Sequence, residues 1–82
     1  SIEGGTAKAV VDYVARSIVE SPDAVDVTAK QRGEVVELLI AADSNDMGRL
    51  IGKRGRVIQA MRQLARAAGA ADGVKTTVDV LE

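Results

Sequence analysis

Two glycines three residues apart, Gly52 and Gly55, enclose Lys53 and Arg54 and separate two stretches of helically spaced apolar residues. Glycine in a helix interior costs about 1 kcal/mol relative to alanine, and it enters positive φ freely. The string Ile51-Gly52-Lys53-Arg54-Gly55-Arg56-Val57-Ile58 therefore predicts helix, sharp turn, helix, with two cations at the tip. Ile51 and Ile58 are placed to anchor the two helix ends in the core. With no side chain at Gly52 or Gly55, a sugar-phosphate backbone can approach the main chain closely. Gly55 also leaves the N-terminus of the following helix open, and its free N–H groups and dipole favour an anion.

The charge pattern points the same way. The 82-residue chain has a net charge of −1, yet its basic residues are concentrated. Arg49, Lys53, Arg54, Arg56, Arg62 and Arg66 lie in one window without an acid, so that window carries +6 and the rest of the chain −7. Such asymmetry predicts one anion-seeking face on an acidic body. There is no Cys and no His, which excludes thiol nucleophiles, imidazole bases, disulfides and the usual zinc and haem ligands. No metal or other cofactor is expected. The absence of disulfides favours a reducing, cytoplasmic setting, and no apolar run reaches membrane-spanning length.

The remaining elements follow from periodicity. Residues 7–19 read as an amphipathic helix with Val10, Val11, Val14, Ala15 and Ile18 inward; Thr6 is its expected N-cap and Pro22 lies beyond its end. Tyr13, the one aromatic residue, is expected in the core. Val25, Val27 and Ala29 alternate with polar residues as a strand, a turn follows at 31–34, and Val35–Ala41 is apolar enough for a central strand. Asp43 and Asp46 are expected to cap a short helix, 47–51. The helix after Gly55 presents Val57, Ile58, Met61, Leu64, Ala65 and Ala68 inward, with Gly69 weakening it and Gly73 ending it. Val74, Thr76, Val78 and Val80 form a last alternating strand. Two helices make one crossover between the second and third strands, so those strands are parallel, and the first two form a hairpin. The fold class is α+β: a three-stranded mixed sheet with three helices on one face.

The loop string resembles the KH-domain signature, hydrophobic-Gly-x-x-Gly-x-x-hydrophobic, and the order α-β-β-α-α-β resembles the type II KH arrangement. The likeness spans Ala7 to Leu81, and Gly52, Lys53, Gly55 and Arg56 match the loop position by position. With Ser-Pro-Asp-Ala-Val after the first helix, the chain looks most like the KhpA family of small bacterial single-KH proteins. The resemblance implies cytoplasmic single-stranded RNA binding, in which a GXXG loop clamps about four nucleotides. It further implies an RNA chaperone linked to cell-shape and cell-wall control, paired with a KhpB-like (Jag/EloR) KH protein or with itself. Residues 1–5 fall outside the likeness and are expected to be a flexible leader or expression remnant, and residues 6–82 the single domain.

Within this reading Gly52 and Gly55 shape the loop, Lys53 and Arg54 contact phosphate, and Arg49 and Arg56 reinforce the field. Val57 and Leu38 are candidates for the groove floor, and Arg62 and Arg66 for an extended backbone track. A nucleotide-hydrolase loop is disfavoured, because three residues rather than four separate Gly48 from Gly52 and Arg54 stands where a magnesium-binding hydroxyl belongs. No enzyme, small-molecule substrate or membrane is expected. The alternative is a protein-interaction module, and Leu39 and Leu81, out of phase with the buried stripes of their strands, are its candidate contacts.

Overall fold

The computed structural model describes residues 5–81. Its elements are α1 (Gly5–Ile18), β1 (Asp26–Arg32), β2 (Val35–Ala41), α2 (Met47–Ile51), α3 (Arg56–Ala71) and β3 (Lys75–Val80), with single 3₁₀ turns at Pro22–Ala24, Ser44–Asp46 and Lys53–Gly55. The order and types are those expected from periodicity. The expectation for residues 1–5 falls mainly outside the described residues, and Gly5 already belongs to α1.

The sheet order is β1-β2-β3. β1 and β2 pair antiparallel with Val27 opposite Ile40 and Ala29 opposite Leu38. β2 and β3 pair parallel with Val36 opposite Thr76 and Leu38 opposite Val78. One face of this sheet, carrying Val27, Val36, Leu38, Ile40 and Val78, is buried under Val11, Ala15, Leu50, Ile58, Met61 and Ala65 of the helices. The core is aliphatic and small, as a chain of this length requires. Leu38 is 1% exposed, so it belongs to the core and does not floor a groove.

Tyr13 is not in the core. It is 73% exposed, because the buried ridge of α1 is Ala7, Val11 and Ala15 and a residue two along from Val11 is turned about 200° away at 100° per residue. Leu64 is likewise outward, at 46% exposure. The buried ridge of α3 is Ile58, Met61, Ala65 and Gly69, and Leu64 lies about 100° round from it. Small residues on both ridges let α1 and α3 pack closely.

The expected cap at Thr6 is corrected. Thr6 lies inside α1, and its N–H is satisfied by Asp72 Oδ2 at 3.2 Å, a contact that brings the start of α1 to the end of α3. Gly69 also has a packing role that periodicity did not show: it is buried within the helix, and a Cβ there would overlap Thr76 Oγ1 and come within 3.2 Å of the Val74 carbonyl. Its bare Cα lets α3 lie against β3. The helix runs on to Ala71, and Gly73, at φ 76°, reverses the chain into β3. Among the described residues no helix is long and apolar enough to cross a membrane.

Candidate nucleic-acid interface

α2 ends at Gly52, whose N–H donates to the Gly48 carbonyl at 2.8 Å, and the 3₁₀ turn is closed by Gly55 N–H to the Gly52 carbonyl at 3.1 Å. Gly52 has φ 78° and ψ 170°, a region open essentially to glycine alone. A Cβ at Gly52 would fall on the Val57 side chain and within 2.8 Å of the Val57 nitrogen. Gly52 is thus where the loop folds back on the first turn of α3. Gly55 is left-handed, at φ 72° and ψ 17°, and no side chain caps α3. The open helix N-terminus expected from sequence is present.

Arg54 also has positive φ, 59° with ψ 26°, which was not foreseen. A left-handed arginine costs about 1–2 kcal/mol. That strain places consecutive exposed cations, Lys53 and Arg54, on the turn beside the α3 N-terminus, with Arg56 in the first helical turn. Strain of this kind is commonly stored at ligand-contacting loops. Ile51 and Val57 are half-buried and Ile58 buried, all packed on the core, so the two isoleucines anchor the loop as expected and Val57 supports it from beneath.

The six-cation window divides once the fold is formed. Arg49 does not stand free beside the loop: its Nη2 lies 3.0 Å from Glu20 Oε1 and its Nη1 3.1 Å from Asp46 Oδ1. Arg62 reaches across to β3, donating from Nε to the Val78 carbonyl at 3.0 Å and standing 3.7 Å from Asp79. Lys53, Arg54, Arg56 and Arg66 form no ion pair among the described residues. Three of these four surround the loop. Arg66 lies about 15 Å further along α3, at 1.5 Å per residue. There it lines an open groove of ≈ 420 Å³ with Ala70, Val74, Lys75, Thr76 and Thr77.

Asp46 is the residue whose role sequence reasoning missed. It is 1% exposed and caps nothing in α2. Its Oδ1 accepts from Glu20 N–H at 3.0 Å and its Oδ2 from Ser21 N–H at 3.1 Å. With Arg49 it ties the end of α1 to the start of α2, which leads into the loop. No local signal could have linked residues 26 apart. Asp43 does cap, accepting from Asn45 N–H at 2.9 Å, but what it caps is the 3₁₀ turn Ser44–Asp46 that leads into α2 and not α2 itself.

The Glu20 N–H donation, followed by that of Ser21 and the Arg49 guanidinium, holds the Asp46 carboxyl below its ordinary value of 3.8, although burial opposes this. A carboxyl lowered by folding contributes stability above its unfolded pKa and loses it as pH falls through the folded value. Asp46→Asn is therefore expected to lower the melting temperature by a constant amount from about pH 7 to pH 5, with the difference from wild type shrinking below about pH 4. A difference independent of pH down to about pH 2 would remove the charge from this account.

The chain and its fold have counterparts. A family model described as KhpA/KhpB, KH domain, matches residues 8–80. The RNA-binding protein KhpA of Leifsonia xyli subsp. xyli is 43% identical, covering 85% of this chain and 90% of that protein. The RNA-binding protein KhpA of Caldanaerobacter subterraneus subsp. tengcongensis is 35% identical over 88% of this chain and 96% of its own length. Among solved structures, Aquifex aeolicus Era bound to GDP and aluminium fluoride is similar with a TM-score of 0.67 at 20% identity, covering 90% of this chain and 29% of that one; at that identity the likeness is one of fold. With its type II KH order and a family match over nearly its whole length, the chain belongs to the KhpA/KhpB family of KH domains.

Proposed function

We propose that this protein binds single-stranded RNA through residues 52–55, with Lys53, Arg54 and Arg56 neutralising phosphates and Gly52 and Gly55 admitting the backbone to the uncapped N-terminus of α3. The observation that carries this is the coincidence of three cations unpaired among the described residues with a glycine-shaped, strained turn. The RNA-binding name of the relatives supports the same ligand. Arg66 and Lys75, on the α3–β3 groove, extend the track more weakly. The sequence holds a single aromatic residue, Tyr13, too few for a stacking platform, so affinity rests on phosphate contacts and hydrogen bonds to base edges rather than on stacking. The role is that of a cytoplasmic, non-enzymatic RNA chaperone or post-transcriptional regulator tied to cell shape and cell-wall homeostasis. It acts with a KhpB-like partner, because a single KH module contacts few nucleotides and a second adds avidity.

Titration of a fluorescent single-stranded RNA against salt tests the clamp. Three neutralised phosphates give a log–log slope of about −2 at roughly −0.7 per phosphate, and a matched duplex should bind more weakly. A slope near zero would remove the clamp. A second reading, a module for protein assembly, is favoured by the exposure of Tyr13, Leu64 and Leu81.

A further inference from the structure

β3 lies at the edge of the sheet, with β2 its one neighbour among the described residues. Lys75 N–H donates to the Glu34 carbonyl at 2.8 Å and Leu81 N–H to the Ile40 carbonyl at 2.9 Å. The odd-numbered residues of β3 therefore turn their backbone groups toward β2. In a parallel ladder alternate residues point N–H and C=O to opposite sides, so Thr76, Val78 and Val80 turn theirs to the outer edge.

Two side chains close over part of that edge, one from each side of the sheet. Arg62 comes from α3 and donates from Nε to the Val78 carbonyl at 3.0 Å. Asp79 stands on the face away from the helices, where strand alternation places it, and its Oδ1 accepts from Val80 N–H at 3.2 Å. The same Oδ1 lies 3.7 Å from Arg62 Nη2. Charged side chains commonly blunt a sheet edge, but the position of this pair adds a second consequence. Arg62 and Arg66 are four apart and so neighbours on α3, and Arg66 lines the groove whose strand residues end at Thr77. The groove stops where the pair begins. A polyanion bound along both would pass Asp79, whose side chain is 72% exposed, and would find the next two outward backbone groups already taken.

We propose that Arg62 and Asp79 form a latch on the outer edge of β3, shut in the free protein and opened by single-stranded RNA. Opening carries Arg62 from the Val78 carbonyl and Asp79 to a phosphate, which a guanidinium pairs with as well as it does a carboxylate. It also uncovers the Val78 carbonyl and the Val80 N–H, an acceptor and a donor of the kind that base edges match. Asp79 competes with phosphate for Arg62 and thereby holds the affinity down. A partly exposed ion pair is weak enough for a phosphate to displace. The latch rests on the reading of residues 52–55 as an RNA clamp, and adds to it an acid that restrains the same ligand and a cation held in reserve.

Binding of a fluorescent single-stranded RNA by wild type, Asp79→Asn, Arg62→Met and the double variant tests the latch. Asp79→Asn, at an exposed position of an edge strand, should fold normally and bind about threefold more tightly, the scale on which an exposed ion pair is broken. Arg62→Met keeps the aliphatic stem and should flatten the log–log salt slope by roughly 0.7, one phosphate beyond the three of the loop. In the Arg62→Met background, Asp79→Asn should gain no more than Asp26→Asn, the same change of charge at an exposed position of β1. The Arg62 Nε–H resonance of labelled wild type should shift as RNA is added. An Asp79→Asn chain that binds no better than wild type would leave the pair an edge guard and overturn the latch. So would a gain equal to that of Asp26→Asn, a gain that survives Arg62→Met, or an Arg62 resonance unmoved at saturating RNA. A wild type that binds no RNA would overturn the clamp and the latch together, whereas normal wild-type binding with any of these results overturns the latch alone.

Discussion

Replacing Lys53 and Arg54 together by aspartate should weaken single-stranded RNA binding at least about tenfold at moderate salt, or about 1.4 kcal/mol, while leaving the fold intact. Both side chains are exposed and neither forms an ion pair among the described residues. The change removes two cations and adds two anions where phosphate is to sit. Stability should hold or rise slightly, because Arg54 is left-handed and aspartate tolerates that conformation better than arginine does. The control with the same swing of charge is Lys8→Asp with Lys30→Asp, away from the loop. Arg16 is unsuitable for that purpose, since it donates to the Pro22 and Val25 carbonyls at 2.8 Å and to Asp12 and thereby holds the turn after α1. Equal loss in both variants would make net charge the cause. A loop variant that melts normally and binds normally would refute the clamp.

Gly52→Ala should be among the most destabilising single methyl additions in this chain, at about 3 kcal/mol or more. Its backbone lies in a region that a Cβ disfavours by about 1–3 kcal/mol, and overpacking against the Val57 nitrogen and side chain adds about 1–3 kcal/mol. Gly55→Ala should cost only about 1–2 kcal/mol, the left-handed penalty alone, because the added Cβ finds nothing nearer than Ile58 Cγ2 at 3.9 Å. A domain of this size has roughly 4–12 kcal/mol to lose. Urea denaturation of the two variants side by side reads the difference. Equal costs would mean that the close approach of the loop to α3 is not what confines position 52 to glycine.

These glycines show how far local reasoning reached. The element order, the ends of β2 and α2, the parallel pairing of β2 and β3, and the positive φ at Gly52 and Gly55 were all legible. Each depends on period, on punctuation by Gly and Pro, or on the length of a crossover. The site was legible only in outline. Lys53, Arg54 and Arg56 are exposed and without an ion pair among the described residues, but the charge counted at Arg49 and Arg62 is taken up by Glu20, Asp46, Asp79 and the Val78 carbonyl.

What the linear chain determined by itself was therefore the kind of structure and the place of its glycine-bounded, cationic turn, because turns and amphipathic periods are properties of neighbours. Only the tertiary structure decided which cations remain available. It also decided that Gly69 serves the contact of α3 with β3, that Asp46 anchors the end of α1, and that Tyr13 and Leu64 face outward. Each of these depends on the angle at which one element meets another, and on partners as distant in sequence as Thr6 and Asp72. Periodicity says that a face exists; packing alone says what lies against it.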